Sequence, residues 1–144
     1  MQQVAPLEIG IPVIDLGRMV AFYHDVLGCE EVRRADIPAA LTQKISVSHD
    51  GYTNVWLKFP GGEVLKLVSP PSPPKRLDRP RYLSAHTGIA YMTLYCSDLK
   101  GTMAKAEQCG AILISDRALT EQEGLKLAFL EDPEGNVFEL VQPE

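Results

Sequence analysis

The sequence predicts an α+β fold made of one plan used twice: a strand, a helix, then further strands. Three observations carry this. Val64-Leu65-Lys66-Leu67-Val68, after Gly61-Gly62, lies over Val137-Phe138-Glu139-Leu140-Val141, after Asp132-Pro133-Glu134-Gly135, at an offset of 73, and each apolar strand holds one charge at its centre. Glu8 to Leu16 and Tyr91 to Leu99 each read as a strand that ends in Asp-Leu before a helix. The two helices then stop at Gly28 and Gly110. Self-similarity on this scale marks a repeated supersecondary unit.

The elements follow in order. The first strand is expected at about Leu7 to Val13. Asp15 suits an N-cap, because its carboxylate can accept from a free backbone N–H of the first turn. The helix then runs to Leu27, with Leu16, Met19, Val20, Tyr23 and Leu27 at helical spacing and Gly28 at the left-handed C-cap position. Cys29 to Ala35 reads as a strand. Ile37 to Thr42 is open between a helical turn and a loop, and His49-Asp50-Gly51 is turn chemistry. Asn54 to Phe59 and Glu63 to Val68 form a hairpin across Pro60-Gly61-Gly62. Ser69 to Arg76 is a proline-rich, semi-rigid connection that continues to Thr87. In the second half a strand covers about Ile89 to Cys96. A helix from Asp98 to Cys109 places Leu99, Met103, Ala106 and Cys109 on one side. A strand near Ile112 to Ser115, a loop from about Asp116 to Gly124, and strands at Lys126 to Glu131 and Asn136 to Gln142 complete the plan. The chain is therefore one domain over 1–144, with module 1 at about 7–69, module 2 at about 88–142 and a connection at 69–87.

Composition narrows the function. A net charge of −5 over 144 residues argues against nucleic acid, whose phosphates need a basic surface. No apolar run approaches the ~18 residues of a membrane span, and the N-terminus lacks the pattern of a signal peptide. Cys29, Cys96 and Cys109 are odd in number and widely spaced. They suit small buried residues in a reducing cytoplasm rather than a disulfide framework or zinc motif.

Phe22-Tyr23-His24-Asp25-Val26-Leu27-Gly28 after Val13-Ile14-Asp15-Leu16 resembles the first module of the vicinal oxygen chelate superfamily. Asp132 to Leu140 resembles the end of its second module. Glyoxalase I, methylmalonyl-CoA epimerase, extradiol dioxygenases, fosfomycin-resistance proteins and bleomycin-binding proteins share this fold. The resemblance implies paired βαβββ modules, a partly open barrel around a small-molecule cleft, and a homodimer. It also implies metal ligands on the first and last strand of each module, which carry over to Glu8, Lys66, Tyr91 and Glu139.

Two of those four depart from the pattern. An ammonium has three donors and no lone pair, so Lys66 repels a divalent ion, and neutral tyrosine is a poor ligand. The expectation is therefore no metal and no other cofactor, with a divalent metal as the alternative. Glu8, Lys66, Tyr91 and Glu139 then read either as a structural ion-pair network or as an acid–base set. In the second reading Glu139 is the base, Glu8 a second acid or base, Lys66 the stabiliser of an enolate oxygen and Tyr91 a hydrogen-bond donor to it. Trp56, Phe59 and Tyr95, with Tyr82, are candidates for an apolar pocket wall. His24, His49 and His86 fit surface or loop positions. The expected function is a metal-independent isomerase, epimerase or lyase acting next to a carbonyl. The alternatives are a drug- or metabolite-binding protein and a metal-dependent lyase or dioxygenase.

Overall fold

The computed structural model describes residues 2–117, 124 and 126–143. It contains two four-stranded mixed sheets, each carrying one main helix, and the order of elements is α+β throughout. The chain divides into two compact units, Met1–Lys75 and Arg76–Glu144.

In unit 1 the elements are β1 (Glu8–Pro12), α1 (Leu16–Leu27), β2 (Glu30–Ile37), a single turn α2 (Ala39–Thr42), β3 (Tyr52–Lys58) and β4 (Val64–Ser69). The sheet order is β1-β4-β3-β2, with β1 parallel to β4 and the other pairs antiparallel. Because β-strand side chains alternate between faces, Val55, Leu57, Leu65 and Leu67 all point to one side and are fully buried there. The helix α1 packs on β2, β3 and β4 and contributes Met19, Phe22, Tyr23 and Val26 to the core. The expected stripe is thus turned: Leu16, Val20 and Leu27 sit half-buried at its margin. Asp15 caps α1 by accepting from the Arg18 N–H, and Gly28 ends it with φ 68°, a conformation that a side chain would strain.

Unit 2 repeats the plan with β5 (Met92–Tyr95), α3 (Leu99–Gln108), β6 (Ile112–Leu113), β7 (Leu127–Glu131) and β8 (Val137–Val141), in sheet order β5-β8-β7-β6. Its core is Leu99, Met103 and Ala106 of α3 against Ala128, Leu130, Phe138 and Leu140. The turn between β7 and β8 is built around the buried Asp132. Its carboxylate accepts from the backbone N–H groups of Glu134 and Asn136 and from the Asn136 amide.

Several boundaries differ from expectation by two or three residues, those of β5 and β2 among them. β5 begins at Met92 rather than Ile89, since its partner β8 has only five residues to pair with and Ile89 stands in solvent. β2 extends through Ile37 and carries a bulge between Glu31 and Arg33. Most of the loop expected from Asp116 to Gly124 lies outside the described residues. Neither sheet closes on itself.

Candidate functional site

The face of the unit 1 sheet turned away from α1 is set by the same two-residue alternation. It carries Glu8 and Gly10 on β1, Lys66 and Val68 on β4, Tyr52, Asn54 and Trp56 on β3, and Arg33 on β2. A cavity of about 490 Å³ opens on this face, with Gly10, Tyr52, Asn54, Trp56, Lys66 and Val68 in its lining, within the usual size range for a small-molecule pocket. Lys66 Nζ lies 3.2 Å from Glu8 Oε2. Gly10 stands opposite Lys66 in the register, and no atom lies within 4 Å of where its side chain would begin. The missing side chain leaves the ammonium reachable from the pocket. The Arg33 guanidinium sits 4.5 Å above the Trp56 ring, a cation–π contact that fixes the indole. Asn54 is 3% exposed, lines the cavity, and its side-chain amide bonds to no other described residue.

Unit 2 gives its two candidates separate surroundings. Thr93 Oγ1 donates to Glu139 Oε2 at 2.7 Å, directly across the β5–β8 ladder. Tyr91 turns its ring edge-on to Phe129, 5.0 Å between centroids. Tyr95 is 74% exposed and borders a shallow recess with Cys96, Ser97, Gln142 and Pro143. Glu131 is buried at the end of β7 and is held by Arg79 and Arg76 from the connecting segment.

The structure therefore brings Glu8 and Lys66 together. It puts Trp56 in the unit 1 pocket lining and leaves Tyr95 in a recess of unit 2. Phe59 is displaced from the expected pocket wall. It lies an odd number of residues from Trp56, so it faces α1 and packs edge-on to Tyr23 at 6.5 Å, inside the core. Tyr82 is largely exposed. His24 and His49 are exposed and each pairs with the aspartate that follows it. The sequence reading missed Gly10, Asn54 and Thr93. For Asn54 the signal was present: it shares the parity of Trp56, opposite to Val55 and Leu57.

Residues 5–140 match the family model described as the Glyoxalase/Bleomycin resistance protein/Dioxygenase superfamily. The chain belongs to this superfamily. It is 26% identical over 139 residues to lactoylglutathione lyase GLX1 of Arabidopsis thaliana, a match that covers 94% of this chain and 43% of that protein. The chain thus spans less than half the length of this relative. A glyoxalase family protein from Bacillus cereus superposes with a TM-score of 0.81 at 16% identity, covering 99% of this chain and 95% of the other. Glyoxalase I of Leishmania major superposes at 0.69 with 25% identity over 97% and 87% of the two chains. The fosfomycin resistance protein FosX of Listeria monocytogenes, solved with Mn(II) and sulfate, reaches 0.61 at 14% identity over 99% and 95%.

Among the described residues a metal of that kind finds no matching donor set within either unit. In unit 1 the ammonium of Lys66 stands against Glu8 and offers no lone pair. In unit 2 one oxygen of Glu139 accepts from Thr93, and Tyr91 is packed on Phe129. Among the described residues no three His, Cys, Asp or Glu side chains come together as a ligand group.

Proposed function

We propose that this chain is a metal-independent isomerase, epimerase or lyase that moves a proton at carbon next to a carbonyl group. The observation that carries the reading is the Lys66–Glu8 pair, 3.2 Å apart beside the pocket of unit 1. In this reading the Glu8 carboxylate takes a proton from the substrate carbon. The Lys66 ammonium supplies the fixed positive charge that an enolate oxygen needs as it forms. The proton then returns from Glu8 to a different carbon or, once the enolate has turned over, to the other face of the same carbon, and the charge on the oxygen is discharged. Glu139, held by Thr93, and Tyr91 are kept as acid–base and hydrogen-bond candidates within unit 2. Homodimer assembly and a cytoplasmic location belong to the same reading.

A second reading, a protein that binds a drug or metabolite without changing it, is favoured by the pocket's mainly apolar lining. A third, metal-dependent lyase activity, draws on the lactoylglutathione lyase relative. Deuterium exchange separates them. Carbonyl compounds incubated with the protein in D₂O and chelator should gain deuterium next to the carbonyl, at a rate that depends on Lys66 and Glu8. Saturable binding with no exchange would establish the second reading. Turnover of lactoylglutathione that chelator abolishes would establish the third.

A further inference from the structure

The pocket of unit 1 has a composition that selects among substrates. We infer that it takes a small organic monocarboxylate with an apolar body, its carboxylate held between the Lys66 ammonium and the Asn54 amide. This rests on the proposed reading of the same site.

Charge is the first argument. Among the described residues Lys66 is the one charged side chain in the cavity lining. An ammonium has three N–H donors, and among the described residues Glu8 is the one partner within ion-pair distance of it. Two donors therefore remain for a ligand. On the same sheet face Arg33 adds a second cation beside Trp56, so the part of that face at the pocket holds two positive charges and the negative charge of Glu8. At the far end of the face Glu30 and Lys58 stand opposite each other and cancel. The balance favours one negative charge on the ligand.

Asn54 is the second argument. A nearly buried amide without a hydrogen bond costs free energy unless something occupies it. Its atoms are reached from the cavity, since no side-chain polar atom among the described residues is both sealed off and unpaired. The amide N–H groups can donate to a carboxylate oxygen that also meets Lys66, whose strand pairs with Asn54's. The rest of the lining is mainly apolar, with Pro12, Ile37, Val47, Val68 and the Trp56 ring beside the polar end. A sugar or nucleotide would leave polar groups unpaired against that wall. A glutathione conjugate carries two carboxylates and an ammonium, which one accessible lysine does not match.

The test uses 4-methyl-2-oxopentanoate, an aliphatic monocarboxylate, as probe. Trp56 is the single tryptophan of the chain, so its emission reports the pocket. Two controls remove one feature each: 4-methyl-2-pentanone lacks the carboxylate and pyruvate lacks the apolar body. The acid should bind saturably at millimolar concentration or below, at least tenfold more tightly than either control. Lys66→Met and Asn54→Leu should each weaken it at least tenfold. Gly10→Val guards against misfolding as an explanation, because its backbone is ordinary strand and the space beside it is open. It should keep the parent melting temperature and block the acid. Equal binding of the ketone, unchanged affinity in Asn54→Leu or Gly10→Val, or no saturable response would overturn the inference. Acid binding without deuterium exchange would uphold the ligand class and sink the catalytic reading. Lys66-dependent exchange on another carbonyl compound, with no acid binding, would do the reverse.

Discussion

Replacing Lys66 by methionine separates a catalytic lysine from a structural one. The side chains of Lys66 and Glu8 are 33% and 43% exposed, so their pairing is screened by water. Pairs of this kind contribute about 0.2–1 kcal/mol. Methionine keeps an apolar stem of similar length, which preserves the packing of the lysine methylenes. For a chain of this size 1 kcal/mol moves the melting temperature by about 2–4 °C, so Lys66→Met should lower it by no more than that. The proton-transfer rate should respond differently. Removing one group that stabilises a developing oxyanion costs about 10²–10³ in turnover, and the same loss is expected in exchange of the substrate proton for deuterium. Differential scanning fluorimetry and NMR exchange on the same preparation give both numbers. An exchange rate within about twofold of the parent would refute the role given to the ammonium. A drop of many degrees with the exchange rate per folded molecule intact would show that the pair only holds β1 to β4.

Three further outcomes are expected. Phe59→Ala should cost about 3–5 kcal/mol in chemical denaturation, and leave the affinity of pocket ligands unchanged, because the ring packs on Tyr23; a selective loss of binding would return it to the pocket wall. Burial pushes the Cys29 thiol from its ordinary 9.0 up to about 12. The unfolded chain therefore loses this proton first, so the contribution to stability is full below pH 9 and falls as pH rises from there. Cys29→Ala should flatten that decline, and a parent chain whose stability does not fall above pH 9 would contradict it. The open edges of both sheets leave backbone groups available for association, and light scattering should find two chains per particle at micromolar concentration. A monomer would count against the assembly.

Much of the fold was legible because strand alternation and helix periodicity are local. Asp15, Gly28, the Asp132–Asn136 turn and both β3–β4 and β7–β8 hairpins could be placed from neighbouring residues alone. The failures are of two kinds. Chemical type groups Phe59 with Trp56, although three residues along a strand put them on opposite faces. Thr93 beside Glu139, and Arg79 on Glu131, depend on contacts between segments 46 and 52 residues apart. No local pattern fixes those. The Lys66–Glu8 pair was readable only through the family resemblance, which carries both residues onto positions of one site. The role of Gly10 was not, because it rests on the register that sets it opposite Lys66.

Metal content measured together with activity tests the central proposal most directly. If Lys66 supplies the positive charge that a divalent ion would otherwise provide, purified protein should contain no stoichiometric Zn, Ni, Fe or Mn, and chelator should leave deuterium exchange intact. Lys66→Glu should then raise metal affinity, since it sets a second carboxylate beside Glu8. Close to one metal per chain in the native protein, lost together with activity on chelation, would contradict the account.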